Sequence, residues 1–167
     1  AMGEVEDART ALVQALGIAR NGLGDSHPDV ADALNNLGTV DLAEDKLSSA
    51  LERFQQSLAI SELALGETHP DVGVVLSNIG VTYQRLQNDQ ASIQHFERAL
   101  DVFGSDPRFK SDAATAKYLL AQSLVAVNSE LPRARDLAMQ AVMMLEEEGA
   151  DEAELDEMRE WLAELSR

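Results

Sequence analysis

The chain has 167 residues, of which 45% are apolar and only 4% aromatic, a composition that favours one domain of closely packed helices. Cysteine is absent, which excludes disulfides, thiolate metal sites and cysteine nucleophiles. The formal net charge of −17 argues against nucleic acid and anionic membranes as partners, because like charges repel along the approach.

The sequence shows no targeting or membrane-spanning signal. No apolar run approaches the ~18 residues of a membrane span, and no basic segment precedes an apolar stretch as in a signal peptide. We therefore expect a cytoplasmic protein. We interpret residues 1–3 as a remnant of cloning and residues 4–167 as a single domain cut from a longer chain.

The first predicted element is a helix over residues 4–23. Apolar and small residues recur there at spacings of three and four, which is the pattern of one helix face. At an offset of 42 residues these positions match the second helix of the unit described next. We therefore expect residues 4–24 to form a half repeat that lacks its first helix. Its uncovered apolar face is a candidate surface for self-association.

A short sequence motif follows this helix and recurs once later in the chain; we call it the phrase. Residues 23–30 read Leu-Gly-Asp-Ser-His-Pro-Asp-Val, and residues 65–72 read Leu-Gly-Glu-Thr-His-Pro-Asp-Val, 42 residues later. A fixed period of this size indicates a repeat architecture. The period divides the next part of the chain into one repeat over 25–66 and another over 67–106.

Each of these units is predicted to contain two helices. In the first unit one helix runs from the phrase to about Glu44, and the other covers about 48–65. In the second unit the helices run from the phrase to about Gln87 and over about 90–103.

Two glycines occupy the same phase in the first helix of each unit. Gly38 and Gly80 lie inside predicted helices, where glycine costs about 1 kcal/mol relative to alanine. Because the position recurs, we expect a packing reason: without a Cβ atom, the neighbouring helix can approach closely.

The repeated phrase contains two of the three histidines, so a metal or catalytic role has to be weighed. Equivalent residues of stacked repeats lie about 10 Å apart, which is too far for one metal ion. Ser26 and Thr68 are predicted to cap the helices that begin at the next proline. His27, His69 and His95 are predicted to be capping or surface residues. We expect no metal site and no cofactor.

A degenerate unit over 107–149 follows, in which the His-Pro-Asp wording is lost and only turn residues remain. Its helices are predicted over 111–127 and 134–148. A last helix over 151–165, within the segment 150–167, is predicted to cap the stack, because terminal repeats must end in water.

The capping segment has two notable features. Trp161 is predicted to pack on the preceding helix rather than to face a partner. Acidic residues concentrate from Glu146 onward, with only two arginines among them. This acidic end is either a solvated surface that keeps the stack soluble or a docking face for a basic partner.

The pattern L-G-x-x-H-P-D-V-A, then L-N-N-L-G and A-x-x-x-F-x-x-(S/A)-L-x-I, resembles the 42-residue tetratricopeptide repeats (TPRs) of kinesin light chains. The signature positions of that pattern fall on Leu34, Leu37, Gly38, Asp41, Ala50, Phe54, Ser57, Leu76, Ile79, Gly80, Tyr83, Ser92, Phe96 and Ala99. The resemblance covers about residues 8–102 and weakens beyond them. It implies an all-α, right-handed α-solenoid of about three full repeats, an N-terminal half repeat and a C-terminal capping helix. Asp41 departs from the usual aromatic residue, so we expect a looser or solvated interface there.

The sequence has no nucleophile elbow, paired catalytic acids, zinc-ligand spacing or phosphate-binding loop, so we expect no enzyme. The resemblance implies instead a protein-interaction module, an adaptor or scaffold, whose first helices line a concave groove for a partner peptide. The groove residues that it implies are Asn35, Asn36, Thr39, Ser77, Asn78, Val81, Gln84, Arg85, Tyr118 and Gln122. Asn36 and Asn78 could each clamp a peptide backbone or bond between repeats, and both roles stay open.

The charge of the chain changes what the resemblance implies about the partner. Kinesin light chains bind cargo peptides that carry tryptophan among acidic residues, partly through basic groove residues. Here Arg85 is nearly the only cation of the inferred groove. We therefore expect a basic or neutral protein or peptide with apolar anchors. Two alternatives stay open: a structural module that forms homo-oligomers through the N-terminal helix, and a sensor region of a larger regulatory protein.

Overall fold

The computed structural model of the chain describes residues 2–165, with side chains from residue 6 onward. Over these residues all regular structure is helical and consists of eight α-helices and one 3-10 turn. The helices are α1 (Met2–Leu23), α2 (Pro28–Ala43), α3 (Leu47–Leu65), α4 (Pro70–Arg85), α5 (Asp89–Phe103), α6 (Lys110–Ala126), α7 (Leu131–Glu148) and α8 (Glu152–Leu165). The 3-10 turn is Pro107–Phe109, directly before α6.

The helices pack in sequence order as a stack of hairpins. The tightest pairs are α2 with α3, α4 with α5 and α6 with α7, and each hairpin then packs on the next. Helix α1 covers α2 at one end and α8 covers α7 at the other. The predicted all-α solenoid is confirmed. Of the helix boundaries, the start of α7 differs most, because it lies at Leu131 and not near Ala134.

The first helices of successive hairpins lie on the inner side of the stack. Helix α2 contacts α4, and α4 contacts α6, whereas the second helices of successive hairpins approach one another less closely. Long side chains link those second helices instead, as when Arg133 on α7 donates to Glu97 on α5 over 2.8 Å. The side chains of α2, α4 and α6 therefore meet on one inner surface.

The predicted packing role of the two recurring glycines is confirmed. A Cβ atom on Gly38 would lie 2.6 Å from the ring of Phe54, and one on Gly80 would lie 2.7 Å from the ring of Phe96. Both rings are fully buried. The aromatic ring of the second helix thus rests directly on the backbone of the first helix, where an alanine would not fit.

The helix caps differ from the prediction. Helices α2 and α4 begin at Pro28 and Pro70, so His27 and His69 are the N-cap residues. Their Nδ1 atoms accept the backbone N–H of Asp29 at 3.2 Å and of Asp71 at 3.3 Å. The expectation that Ser26 and Thr68 cap these helices is wrong, because proline occupies the first helical position and fixes the cap one residue before it.

The interface around Asp41 also differs from the prediction. Asp41 is 1% exposed, so it is neither loosely packed nor solvated. Its Oδ1 pairs with Arg9 Nη1 of α1 at 2.8 Å, and its Oδ2 accepts from Arg53 Nε of α3 at 2.6 Å. Arg9 also donates to Glu44. Two arginines from the neighbouring helices therefore pair with the buried carboxylate.

No helix within residues 2–165 combines the length and the apolar character needed to cross a bilayer.

Candidate functional site

The residues that the sequence implied for a groove lie on the three first helices of the stack. Helix α2 carries Asn35, Asn36 and Thr39, helix α4 carries Ser77, Asn78, Val81, Gln84 and Arg85, and helix α6 carries Tyr118 and Gln122. Since α2, α4 and α6 lie side by side, these residues share the inner surface. We call it the first-helix surface.

Between α2 and α4 the first-helix surface is closed by hydrogen bonds. Asn78 Nδ2 donates to Asn35 Oδ1 over 2.9 Å, which assigns Asn78 the bond between repeats that its sequence left open. Arg85 Nη1 donates to the carbonyl of Leu42 in the last turn of α2 over 2.6 Å. These side chains hold two repeats together, and Arg85 is a cation already engaged by a carbonyl.

Asn36 and Thr39 are exposed on the same helix. Asn36 makes no hydrogen bond to any residue within the described range, so its amide faces solvent with both its donors and its acceptor available. Thr39 Oγ1 donates to the carbonyl of Asn35 one turn earlier, at 3.1 Å.

Between α4 and α6 the arrangement changes along the helices. Near the end of α4, Gln84 Nε2 donates both to the carbonyl of Leu119 at 3.1 Å and to Ser123 Oγ at 3.0 Å. Nearer the start of the two helices the surface opens into a depression of about 210 Å³, which we call the seam pocket. The residues of the seam pocket used below are Val74, Ser77, Val81, Asp112, Thr115 and Leu119.

One residue that lines the seam pocket, Ser77, has a buried polar atom without a partner. Ser77 Oγ is buried and makes no hydrogen bond within the described part of the chain. A buried hydroxyl without a partner costs about 1–3 kcal/mol, so such atoms are uncommon in folded proteins.

At its far end the first-helix surface carries an aromatic pair. Tyr118 of α6 meets Trp161 of α8 edge to face, with ring centroids 5.4 Å apart. Burial raises the pKa of Tyr118, a hydrogen bond from Gln122 opposes this, and the charge of Glu157 raises the pKa further. The phenol is therefore neutral over the physiological range.

Trp161 packs inward as predicted, but its aromatic partner lies on α6 and not on the adjacent α7. Trp161 is not among the groove residues that the sequence implied. The signal was present: Trp161 follows Leu119 by 42 residues, and Leu119 occupies the place of Asn78 in the next repeat.

Acidic residues follow one edge of the first-helix surface. Asp29, Asp71 and Asp112 occupy the first turn of α2, α4 and α6, where a carboxylate stabilises the positive end of a helix. Asp32 lies one turn further along α2. Burial raises the pKa of Asp32, and the charges of Asp71 and Asp29 raise it further. The field at this edge is therefore negative.

The histidines show no sign of a metal site. Within residues 6–165, whose side chains the structure describes, no three His, Cys, Asp or Glu side chains come close enough together to hold an ion.

Comparisons with known proteins agree with this architecture. The family model described as tetratricopeptide repeat matches residues 1–62 and 46–105. No curated protein sequence matches the chain.

Three solved structures illustrate the likeness. The crystal structure of BtubC (BKLC) from P. vanneervenii is 20% identical with a TM-score of 0.78, over 89% of this chain and 59% of that one. A structure from Podosopora anserina contains the nearly identical TPR-like repeats of a kinesin light chain. Its sequence is 19% identical to this chain, and the TM-score is 0.71 over 98% of this chain and 88% of that one. The Sgt2 TPR domain from Aspergillus fumigatus is 20% identical with a TM-score of 0.60, over 82% of this chain and 77% of that one. The chain thus spans about three fifths of BtubC, and at these identities the likeness concerns the fold alone.

Proposed function

Since the chain belongs to the tetratricopeptide repeat family, whose members are in general protein-interaction modules, we propose that it binds a segment of a partner protein along the first-helix surface. In this role it is a non-enzymatic adaptor or scaffold of the cytoplasm. The segment lies across α2, α4 and α6 and ends near the aromatic pair of α6 and α8.

The observation that carries this proposal is the seam pocket. It opens on the inner surface, and both an apolar wall and a buried serine hydroxyl without a partner line it. Pockets that combine apolar walls with a few polar groups are the usual form of binding sites. The acidic edge beside it favours a partner that is basic or neutral, with apolar side chains for the pocket.

The ten residues implied by the sequence divide into two groups under this proposal. Asn35, Asn78, Gln84 and Arg85 already bond between repeats and act as positioning residues that set the spacing of the helices. The remaining six, Asn36, Thr39, Ser77, Val81, Tyr118 and Gln122, are the ones proposed to contact the partner.

The test compares two double variants that each place two tyrosines at exposed positions. Peptides are first selected from a random library on the unmodified protein. Asn36→Tyr with Thr115→Tyr fills the first-helix surface at two exposed positions, and Gln55→Tyr with Gln94→Tyr does the same on the second helices. The affinity of the selected peptides, measured by fluorescence anisotropy, should fall about tenfold or more in the first variant.

The second double variant is the control and should bind as the unmodified protein does. The proposal fails if the selected peptides bind the first variant unchanged, or if they lose affinity only for the control. Circular dichroism of both variants checks that the helices remain folded.

A second candidate function is self-association through α1. Val13 and Ile18 of this helix are 53% and 74% exposed, and exposed apolar side chains of this kind can contact a second copy. Deleting α1 would be a poor test, because it would remove Arg9 and leave Asp41 buried with one arginine fewer. Light scattering over a concentration series, with and without Val13→Glu and Ile18→Glu, separates an oligomer from a monomer.

A further inference from the structure

We propose that the seam pocket holds a lysine or arginine side chain of the partner segment. The methylene stem lies against the apolar wall, and the charged head reaches Asp112. This inference rests on the proposed function and specifies which partner residue anchors it.

The walls of the pocket suit a long methylene stem. Val74 and Val81 of α4 and Leu119 of α6 line it and are partly buried. Lysine and arginine bury their stems along apolar surfaces and keep their charged heads near water. A wholly apolar side chain would fill the same space but would leave the polar groups of the pocket without partners.

The mouth of the pocket supplies an uncommitted negative charge. Asp112 lines the pocket, is exposed, and forms no ion pair within the part of the chain that the structure describes. The cations nearest along the chain are already engaged elsewhere. Arg108 pairs with Asp106 at 2.7 Å, and Lys110 pairs with Glu147 of α7 at 2.7 Å.

The interior of the pocket supplies a hydrogen-bond acceptor. Ser77 lines the pocket and its Oγ is buried without a partner, so a donor of the partner segment that reached this atom would restore a missing hydrogen bond. The head group of lysine or arginine and the backbone N–H beside it are both donors. Apolar walls, an unpaired carboxylate and an unpartnered hydroxyl therefore all point to a cationic side chain with a long stem.

The interface between α2 and α4 offers no equivalent pocket. Between α2 and α4 the bond from Asn78 to Asn35 closes the position that Ser77 and Leu119 leave open between α4 and α6. Leucine at 119 has no amide with which to bridge the two helices. The register of the partner is therefore set at α4 and α6.

The test uses two fluorescein-labelled peptides made of Leu-Lys repeats, one with free lysines and one with every lysine acetylated. Acetylation keeps the stem and removes the charge. Asp112→Asn removes the carboxylate at the pocket, and Asp101→Asn makes the same charge change at an exposed site on α5. Anisotropy titrations of both peptides with each protein form a double-mutant cycle.

The free-lysine peptide should bind Asp112→Asn about fivefold more weakly than the unmodified protein, which corresponds to one partly exposed ion pair of about 1 kcal/mol. The acetylated peptide should bind both proteins equally, and Asp101→Asn should leave both affinities unchanged. The inference is overturned if both peptides bind with the same affinity, if neither binds, or if Asp101→Asn weakens binding as much as Asp112→Asn does.

Two further variants separate this inference from the proposed function. Thr115→Tyr obstructs the mouth of the pocket and should weaken both peptides. If it weakens an acetylated peptide that binds as well as the free one, the surface is used but the cationic anchor is wrong. If it leaves the free-lysine peptide unaffected, the proposed surface itself is wrong.

Ser77→Ala should raise the urea midpoint of the free protein, because it removes a buried hydroxyl without a partner, and should still weaken the free-lysine peptide about fivefold. A purely structural serine would not give this opposite pair of effects. Unchanged binding by this variant would exclude Ser77 from the anchor.

Discussion

At three places in the stack an aromatic ring touches the backbone of a glycine. Phe54 and Phe96 cover Gly38 and Gly80 one repeat apart. The third is Phe103, whose ring would lie 2.7 Å from a Cβ atom on Gly73. Each contact brings two helices closer than any side chain would allow, so these glycines contribute to stability despite their low helix propensity.

Replacing one of these glycines by alanine should therefore destabilise the protein, in contrast to replacing a glycine with open space around it. Gly80→Ala places a methyl group against the ring of Phe96 and should lower the free energy of unfolding by about 1–3 kcal/mol. Gly17→Ala, with nothing within 4 Å of the new Cβ, should raise it by about 1 kcal/mol through helix propensity. Urea unfolding of the two variants measures both changes, and equal midpoints would contradict this account of Gly80.

Recurrence decided which of these residues could be predicted from the sequence. Gly38 and Gly80 were visible because the same residue returns at the same phase. Gly73 and Phe103 were not, because their counterparts one repeat earlier are Ala31 and Ser61. A contact that occurs in one repeat alone leaves no recurring pattern in the sequence.

The position of a helix cap was harder to predict than the helix. Serine and threonine are preferred caps, and this favoured Ser26 and Thr68. Proline at the first helical position was the better signal, because it makes the residue before it the cap. His27 then takes the role through Nδ1, which must be unprotonated to accept the N–H of Asp29.

At the scale of the helix, the attachment of α1 depends on charge as well as on apolar packing. Leu16 and Ala19 of α1 pack on α2, and Arg9 joins the buried Asp41 to the same interface. The sequence indicated Asp41 as unusual but could not reveal its partners. Arg9 precedes it by more than 30 residues and belongs to another unit, and an apolar period carries no information on charge pairs.

Removing the charge of Asp41 should loosen α1. Asp41→Asn leaves the guanidinium groups of Arg9 and Arg53 without their carboxylate, and we expect a loss of about 3 kcal/mol in the free energy of unfolding. Hydrogen exchange should accelerate in α1 more than in α5. Asp101→Asn, an exposed change of equal charge, should leave both measurements unchanged. Uniform acceleration along the chain, or none, would contradict the role of Asp41 in holding α1.

The interfaces of α2 with α4 and of α4 with α6 show how small differences between repeats create a binding site. Asn35 and Asn78 face each other across the first seam and bond. At the interface of α4 and α6 the corresponding positions are held by Ser77 and Leu119, which cannot form that bond. The sequence predicted which helix faces meet, but not that a pocket opens between α4 and α6 and not between α2 and α4. This difference depends on pairs of side chains from adjacent repeats.

Over the whole molecule, stacking of the repeats joins the side chains of the first helices into one continuous surface. The first helices meet on the inner side, and the acids of their first turns then follow one edge. Part of the negative charge of the C-terminal segment is neutralised by ion pairs. Arg159 of α8 pairs with Glu146 of α7 and with Glu152 and Asp156 of its own helix. The negative field that remains favours a basic partner.

A partner segment that lies on the first-helix surface and is anchored between α4 and α6 should change the amide environments of these two helices. Amide chemical shifts of the ¹⁵N-labelled protein, recorded while the Leu-Lys peptide is added, locate the binding surface. The largest changes should fall on residues 74–81 and 111–119, with smaller ones near Asn36 and Trp161. Changes confined to α1, or to the exposed face of α7, would contradict this placement.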